Sequence, residues 1–258
     1  MSNLYAYFVR GAQHAAMCRT SMESVRKADP DADFIAAPDE RPRNWAIPGA
    51  VIHEFDPGMP IMLANLEAQC AILATRKPGE SVTFLDTDIL MLEPLPQIPD
   101  ADLTITWRDH VLKGDEGEKI EGIASTMPYN YGVIRAVAGY RSLESFIWMR
   151  ERVRKMHNGH QKWYGNQLAL HELAGPRPQE GTRLDTRRVP WLLTELGNEV
   201  RIAKIPCERW NWTPSKVGER LHGLHSIVHF KGKARGLMES YAKRLGVTWR
   251  VEAQENAA

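Results

Sequence analysis

The stretch FLDTDIL, residues 84–90, places two carboxylates, Asp86 and Asp88, inside an otherwise apolar run, SVTFLDTDILML (81–92). Such a run reads as a buried strand. Residues i and i+2 of a strand share a face, so the two acids are expected side by side, with Thr87 opposite. An unpaired carboxylate among apolar side chains is costly, so a metal, a hydrogen-bond network or a ligand is expected beside them. Carboxylate oxygens are hard ligands that suit Mg²⁺ or Mn²⁺. A divalent ion held this way can in turn hold a diphosphate. The plainer alternative is a strand end carrying two solvated acids.

Outward from this stretch the pattern alternates. LYAYFVRG (4–11) reads as a first strand and HAAMCRTSMESVRKADP (14–30) as a helix stopped by Pro30. DFIAAPD (33–39) and AVIHEF (50–55) read as strands separated by a loop at 41–49, and IMLANLEAQCAILATR (61–76) as a helix. Beyond the acidic pair, LTITW (103–107) and YNYGVIRA (129–136) read as strands flanking a polar, Gly-containing loop at 108–122. A strong helix lies within 139–159, and a second spans 163–175 with Gly175 as its stop. TRLDTRRVPWLLT and VRIAKIPCERWNW hold short strands and a Trp-rich loop. SIVHFKG (226–232) is a strand running into a basic turn, and YAKRLGVTWRVEAQENAA is a tail, partly helical and then frayed. This alternation predicts an α/β fold with a mostly parallel central sheet and helices on both faces. In such sheets ligands bind at the carboxyl ends of the strands, where Asp86 and Asp88 fall.

Composition narrows the class. The chain has 258 residues, 43% of them hydrophobic, and a net charge of +1 from 33 basic and 32 acidic side chains. These are globular values, and the balanced charge gives no reason to expect specific nucleic-acid binding. Cys18, Cys70 and Cys207 are widely spaced, against a disulfide framework or thiolate zinc site. No basic-then-apolar leader opens the sequence, and no apolar run is long enough to span a bilayer. A soluble, cytoplasmic protein is therefore expected. The basic residues Arg150, Arg152, Arg154 and Lys155 read as a solvated helix face or as a peripheral contact with anionic lipid.

The natural partner of the acidic pair is VHFKGKARG (228–236). His229 follows an apolar strand, and an imidazole nitrogen favours Mn²⁺ over Mg²⁺. Gly232 permits close approach or a positive φ. Lys231, Lys233 and Arg235 supply charge for a diphosphate. Read alone, the segment is more often a core histidine followed by a solvated basic turn.

Taken together, FLDTDIL followed much later by HFKGKAR resembles the GT-A glycosyltransferases, and within them the glycogenin-like and lipopolysaccharide galactosyltransferase family, family eight. The resemblance spans roughly residues 4 to 236 and implies a Rossmann-like GT-A domain over 1–258. Its parts would be a nucleotide-binding half (1–100), a donor-sugar and acceptor half (101–240) and a tail (241–258). It implies Asp86, Asp88 and His229 as ligands of Mn²⁺ (or Mg²⁺), and Gly232, Lys233 and Arg235 at the donor diphosphate. Arg235 stands where the family has Lys, which alters phosphate geometry. Asn130 and Gly132 match a donor-sugar Asn-x-Gly strand, whose alternative is a bulged strand. Asn166 and Gln167 match a helix start that usually reads Asp-Gln and are the catalytic candidates. Asn166 cannot act as base or nucleophile, and its alternative role is a helix cap. Phe8, Val9 and Arg10, at the end of the first strand, are the candidate base or ribose neighbours.

The implied activity is transfer of a sugar from a nucleotide-diphosphate donor, with a UDP-sugar expected, to a glycan, lipid or small-molecule acceptor, with retention of configuration. A sugar-nucleotide-forming nucleotidyltransferase is the first alternative. It calls for a Gly-rich basic loop after the first strand, and VRGAQHAAMCR has only Gly11 there. A binding protein on a GT-A scaffold is the second, kept open by Asn166 and Arg235. Trp210 and Trp212 read either as a sugar platform or as core filling.

Overall fold

The computed structural model describes residues 3–38, 58–108, 128–175, 185–190 (backbone), 199–214 and 225–249. The strand expected over 50–55, residues 109–122 of the polar loop and the end of the tail lie outside them. The strands are β1 (Leu4–Val9), β2 (Asp33–Pro38), β3 (Ser81–Leu85), β4 (Ile89–Met91), β5 (Leu103–Trp107), β6 (Tyr129–Val137), β7 (Asp185–Pro190), β8 (Glu199–Pro206) and β9 (Ile227–His229). The helices are α1 (Gly11–Ala28), α2 (Ile61–Ala74), α3 (Tyr140–Arg154), α4 (Asn158–Lys162), α5 (Gly165–Ala174), α6 (Cys207–Trp210) and α7 (Met238–Arg244), with a 3₁₀ turn over Gly232–Leu237.

Among the described residues, seven strands form the main sheet in the order β2-β1-β3-β6-β5-β8-β7. β1, β2, β3, β5 and β8 run one way, while β6 and β7 oppose their neighbours. The mostly parallel α/β fold is thus as expected. Strand alternation splits the core between the two faces. Ala6, Val82, Phe84 and Ile105 join the apolar sides of α2, α3 and α5. Tyr5, Tyr7, Val9 and Leu85 pack against α1 and the small sheet. α1 and α2 cover opposite faces, so the chain reverses its direction of winding at β1, and a crevice opens at the carboxyl ends of β1 and β3.

The predicted single strand over 81–92 is instead two strands in different sheets. β3 ends at Leu85, the chain turns through Asp86, Thr87 and Asp88, and β4 pairs antiparallel with β9. The apolar signal is continuous because Ile89 and Met91 enter the core beneath the main sheet while Leu90 enters a third cluster. Both faces of β4 are buried, so hydropathy alone does not register the change of sheet. Asp and Thr are good turn formers, and the break falls on them.

The third cluster holds the small sheet from outside. Phe230 is fully buried, packs on Tyr241 of α7 with ring centroids 5.3 Å apart, and joins Leu90, Val228 and Met238. It directly follows His229, and its backbone N–H donates to the Asp88 carbonyl at 2.8 Å. Phe230→Ala should therefore cost about 3–5 kcal/mol, read as a lower urea midpoint. A loss below about 1 kcal/mol would mean that this cluster does not hold the small sheet.

Candidate active site

Three side chains converge where β3 hands over to β4. The Asp86 backbone N–H donates to the Gly132 carbonyl of β6 at 2.9 Å, which extends the β3–β6 ladder by one step. Three residues later, Ile89 pairs with His229 across the small sheet. His229 Nε2 lies 3.4 Å from Asp86 Oδ2 and 3.1 Å from Asp88 Oδ1. One ligand atom from each residue lies within 4.8 Å of the other two. Thr87 points the other way and bonds His14 of α1 at 2.9 Å. The acids share a side as expected, through a turn rather than through strand pleating.

Charge distribution fits this convergence. Asp88 and His229 are buried at 3% and 2% exposure, and Asp86 forms the open side. Burial opposes ionisation of Asp88, but His229 and the Arg235 guanidinium outweigh it and hold the carboxyl well below the usual range. Desolvation on the concave wall and the Asp88 charge push Asp86 upward, against the pull of His229. Burial and the Arg108 charge push the Lys231 ammonium down to about 7. Two carboxylates and an imidazole nitrogen are a donor set for a Mn²⁺-like cation, so the residues present fit the ion that the resemblance implies.

Gly132 is required by this packing. A Cβ there would stand 2.3 Å from His229 Cε1 and 2.8 Å from Asp86 Oδ2. β6 bulges at this point: Ile105 pairs with Ile134, but Thr106 pairs with Asn130. Bulges re-aim side chains. Tyr131 now faces α2, where its hydroxyl meets Gln69 Oε1 at 2.6 Å. Phe8, Asn65, Gln69, Tyr131 and Asp86 line the crevice at the strand ends. Asn130 Oδ1 accepts from the Gly132 N–H at 3.1 Å. Asn130 Nδ2 and Asn65 Oδ1 are buried without a partner among the described residues, which marks polar groups still to be satisfied.

The remaining expected residues are spread more widely. Val9 lies in the core against α1, and Arg10 donates to the Met59 carbonyl at 3.2 Å. Gly232 adopts φ +59 and Lys233 is exposed. Arg235 places its Nε on Asp88 Oδ2 at 2.7 Å, so it braces one of the two carboxylates. Asn166 is buried near the start of α5, and its Oδ1 accepts from the Gln167 N–H at 2.9 Å. The helix cap there is Tyr164, at φ +64, rather than Asn166. Neither Asn166 nor Gln167 shares a described hydrogen bond with the acidic pair.

Two surface readings also change. The basic face of α3 is neutralised by ion pairs from Arg150 and Arg154 to Glu67 and from Arg152 to Glu172. Trp210 packs under Arg209 at the edge of the core, and Trp212 stacks on His225 at 3.9 Å. Among the described tryptophans, Trp163 is the exposed one, at 55%.

Sequence reasoning missed Asn65, Gln69 and Asn211. The first two are amides four apart on an otherwise largely apolar helix, which is a readable signal. Asn211, between two tryptophans, meets His229 Nδ1 at 2.8 Å.

The architecture is that of the GT-A glycosyltransferases, and solved structures with this fold match nearly the whole chain. A galactosyltransferase, LgtC, solved with donor and acceptor sugar analogues, superposes with TM-score 0.57 at 14% identity over 98% of both chains. A glycosyltransferase involved in glycosylation of the major capsid of PBCV-1 gives 0.57 at 12% identity, over 94% of this chain and 99% of the other. GlyE of Streptococcus pneumoniae gives 0.54 at 11% identity, over 98% of this chain and 67% of that one. No protein-family model and no curated sequence matches the chain.

Gly132→Ala should cost about 1–3 kcal/mol by overpacking and should displace the His229 ring. Urea unfolding and the imidazole chemical shifts of His229 would show both. Unchanged shifts and stability would mean that the ring has room to spare.

Proposed function

We propose that the chain is a metal-dependent glycosyltransferase that moves a sugar from a nucleotide-diphosphate donor, a UDP-sugar by expectation, to a glycan, lipid or small-molecule acceptor with retention of configuration. The observation that carries this is the convergence of Asp86, Asp88 and His229 at the carboxyl end of β3 on a GT-A fold. Asp86 Oδ2, Asp88 Oδ1 and His229 Nε2 would hold the cation, with Mn²⁺ favoured over Mg²⁺ by the imidazole. Bound there, a divalent ion supplies Lewis-acid stabilisation of charge on the departing diphosphate.

This chain's residues do the rest. Lys233, and Lys231 in its protonated form, stand on the segment after His229 and supply positive charge toward the leaving group. The crevice between Phe8, Asn65, Gln69 and Tyr131 takes the donor, with Asn65 Oδ1 and Asn130 Nδ2 offering one acceptor and one donor. One of the similar structures is an active-site glutamine-to-glutamate variant of LgtC. That is in keeping with Gln167 at the donor sugar, beside Asn166. Asn166 provides no base, so the departing diphosphate takes the acceptor proton. Three free, buried cysteines suit a reducing cytoplasm, and no helix among the described residues is long and apolar enough to cross a membrane. A non-catalytic scaffold is the second reading, favoured by the Arg235–Asp88 pair and by Asn166.

The decisive measurement is a thermal-shift screen of UDP, GDP, CDP and ADP, each with and without Mn²⁺. UDP with Mn²⁺ at about 100 times its Kd should raise Tm by roughly 5–10 °C, and Asp88→Asn should abolish the shift while leaving the chain folded. No shift with any nucleotide would favour the scaffold reading.

A further inference from the structure

Behind His229 lies a buried chain of hydrogen bonds that plays no part in the chemistry above. His229 Nδ1 is 2.8 Å from Asn211 Oδ1. Asn211 Nδ2 donates to Thr106 Oγ1 at 2.8 Å, and Thr106 Oγ1 donates to the Asn130 carbonyl at 3.2 Å. Exposure is 2% for His229, 2% for Asn211 and 0% for Thr106.

Proton accounting fixes the direction of this chain. A carbonyl only accepts, so the one hydroxyl proton of Thr106 goes to Asn130 O, and the Cys207 thiol, which also meets Thr106, takes the donor role toward Oγ1. Thr106 Oγ1 must then receive its bond from Asn211, which turns the amide nitrogen toward Thr106 and the amide oxygen toward the imidazole. That oxygen has no proton to give, so Nδ1 of His229 carries the hydrogen. Nε2 is left facing Asp86 and Asp88. Backbone contacts hold Asn211 just as firmly. Its N–H donates to Cys207 O at 2.8 Å, Trp212 N–H donates to Ile227 O at 3.0 Å, and His229 N–H donates to Trp212 O at 2.7 Å. Residues 211–212 therefore run beside β9, where Trp212 bridges Val228.

We propose that Asn211, anchored by Thr106, is a positioning residue that sets the tautomer and ring plane of His229, so that Nε2 is presented to a divalent cation. Such outer partners of a ligating histidine fix its ring and raise its basicity. The inference rests on the metal site proposed above.

The test is Mn²⁺ titration of the full chain without nucleotide, followed by the EPR signal of free Mn²⁺, with circular dichroism to confirm folding. Asn211→Leu should weaken Mn²⁺ binding about 10- to 100-fold. Asn211→Asp keeps an acceptor for the Nδ1 hydrogen and should stay within about threefold of the parent chain. Thr106→Val, nearly the same shape, removes the anchor and should weaken binding by about threefold or more. A merely structural role would lower thermal stability and leave the Mn²⁺ affinity of folded protein unchanged. If Asn211→Leu does not fold, the contrast between Asn211→Asp and Thr106→Val decides: a loss confined to Thr106→Val supports the inference. Parent-level binding by folded Asn211→Leu, or by both other variants, overturns it alone. No Mn²⁺ binding by the parent chain overturns the metal reading and this inference with it.

Discussion

The site depends on one pairing, the antiparallel match of Ile89 with His229 in the two-stranded sheet. Asp88 and His229 are far apart in sequence, and the main sheet gives neither a neighbour on the other's strand. The small sheet supplies the link. Its two backbone strands are buried on both sides, between α1 and the main sheet within and α7 without, so its register is set by core packing. A slip of one residue would turn His229 out of the cleft and an apolar neighbour into it.

The main sheet contributes the other half of the constraint. Asp86 is the last residue to bond along β3, and the bulge in β6 brings Asn130 and Gly132 under it. Only a residue without a Cβ leaves room for the His229 ring beside Asp86. The crevice at the switch point between β1 and β3 then opens directly onto the carboxylates, with Asn65 and Gln69 of α2 on its wall. A polar wall in an otherwise apolar fold, with two buried amide atoms unsatisfied among the described residues, is what a ligand cleft requires.

Much of this was legible in the sequence. Asp86 and Asp88 stand out because acids are costly in an apolar run, and His229 because it closes an apolar strand ahead of glycine and cations. What could not be read was connectivity. Hydropathy is blind to a change of sheet when both faces of the second strand are buried, so β3 and β4 looked like one strand. Val9 reads as a strand end but packs inward, because α1 begins at Gly11 and covers it. The partner of Arg235 is set by where the 3₁₀ turn after β9 places its guanidinium. The role of Asn211 depends on a bond to a strand more than a hundred residues away, and no local pattern encodes that.

The side chains behind Asp88 and His229 explain why the arrangement holds its shape. Asp88 has two oxygens, and they are divided: Oδ1 faces His229 Nε2 while Oδ2 takes Arg235 Nε. His229 has two ring nitrogens, and they are divided in the same way, Nε2 toward the acids and Nδ1 toward Asn211. Each of the two side chains thus presents one atom to the point where Asp86, Asp88 and His229 converge while its other polar atom is held by a neighbour. Arg235 suits Asp88 because a guanidinium keeps its charge at any working pH, so the buried carboxylate stays ionised and Oδ1 keeps its orientation toward His229. The Arg235 guanidinium is therefore accounted for by what it does for Asp88.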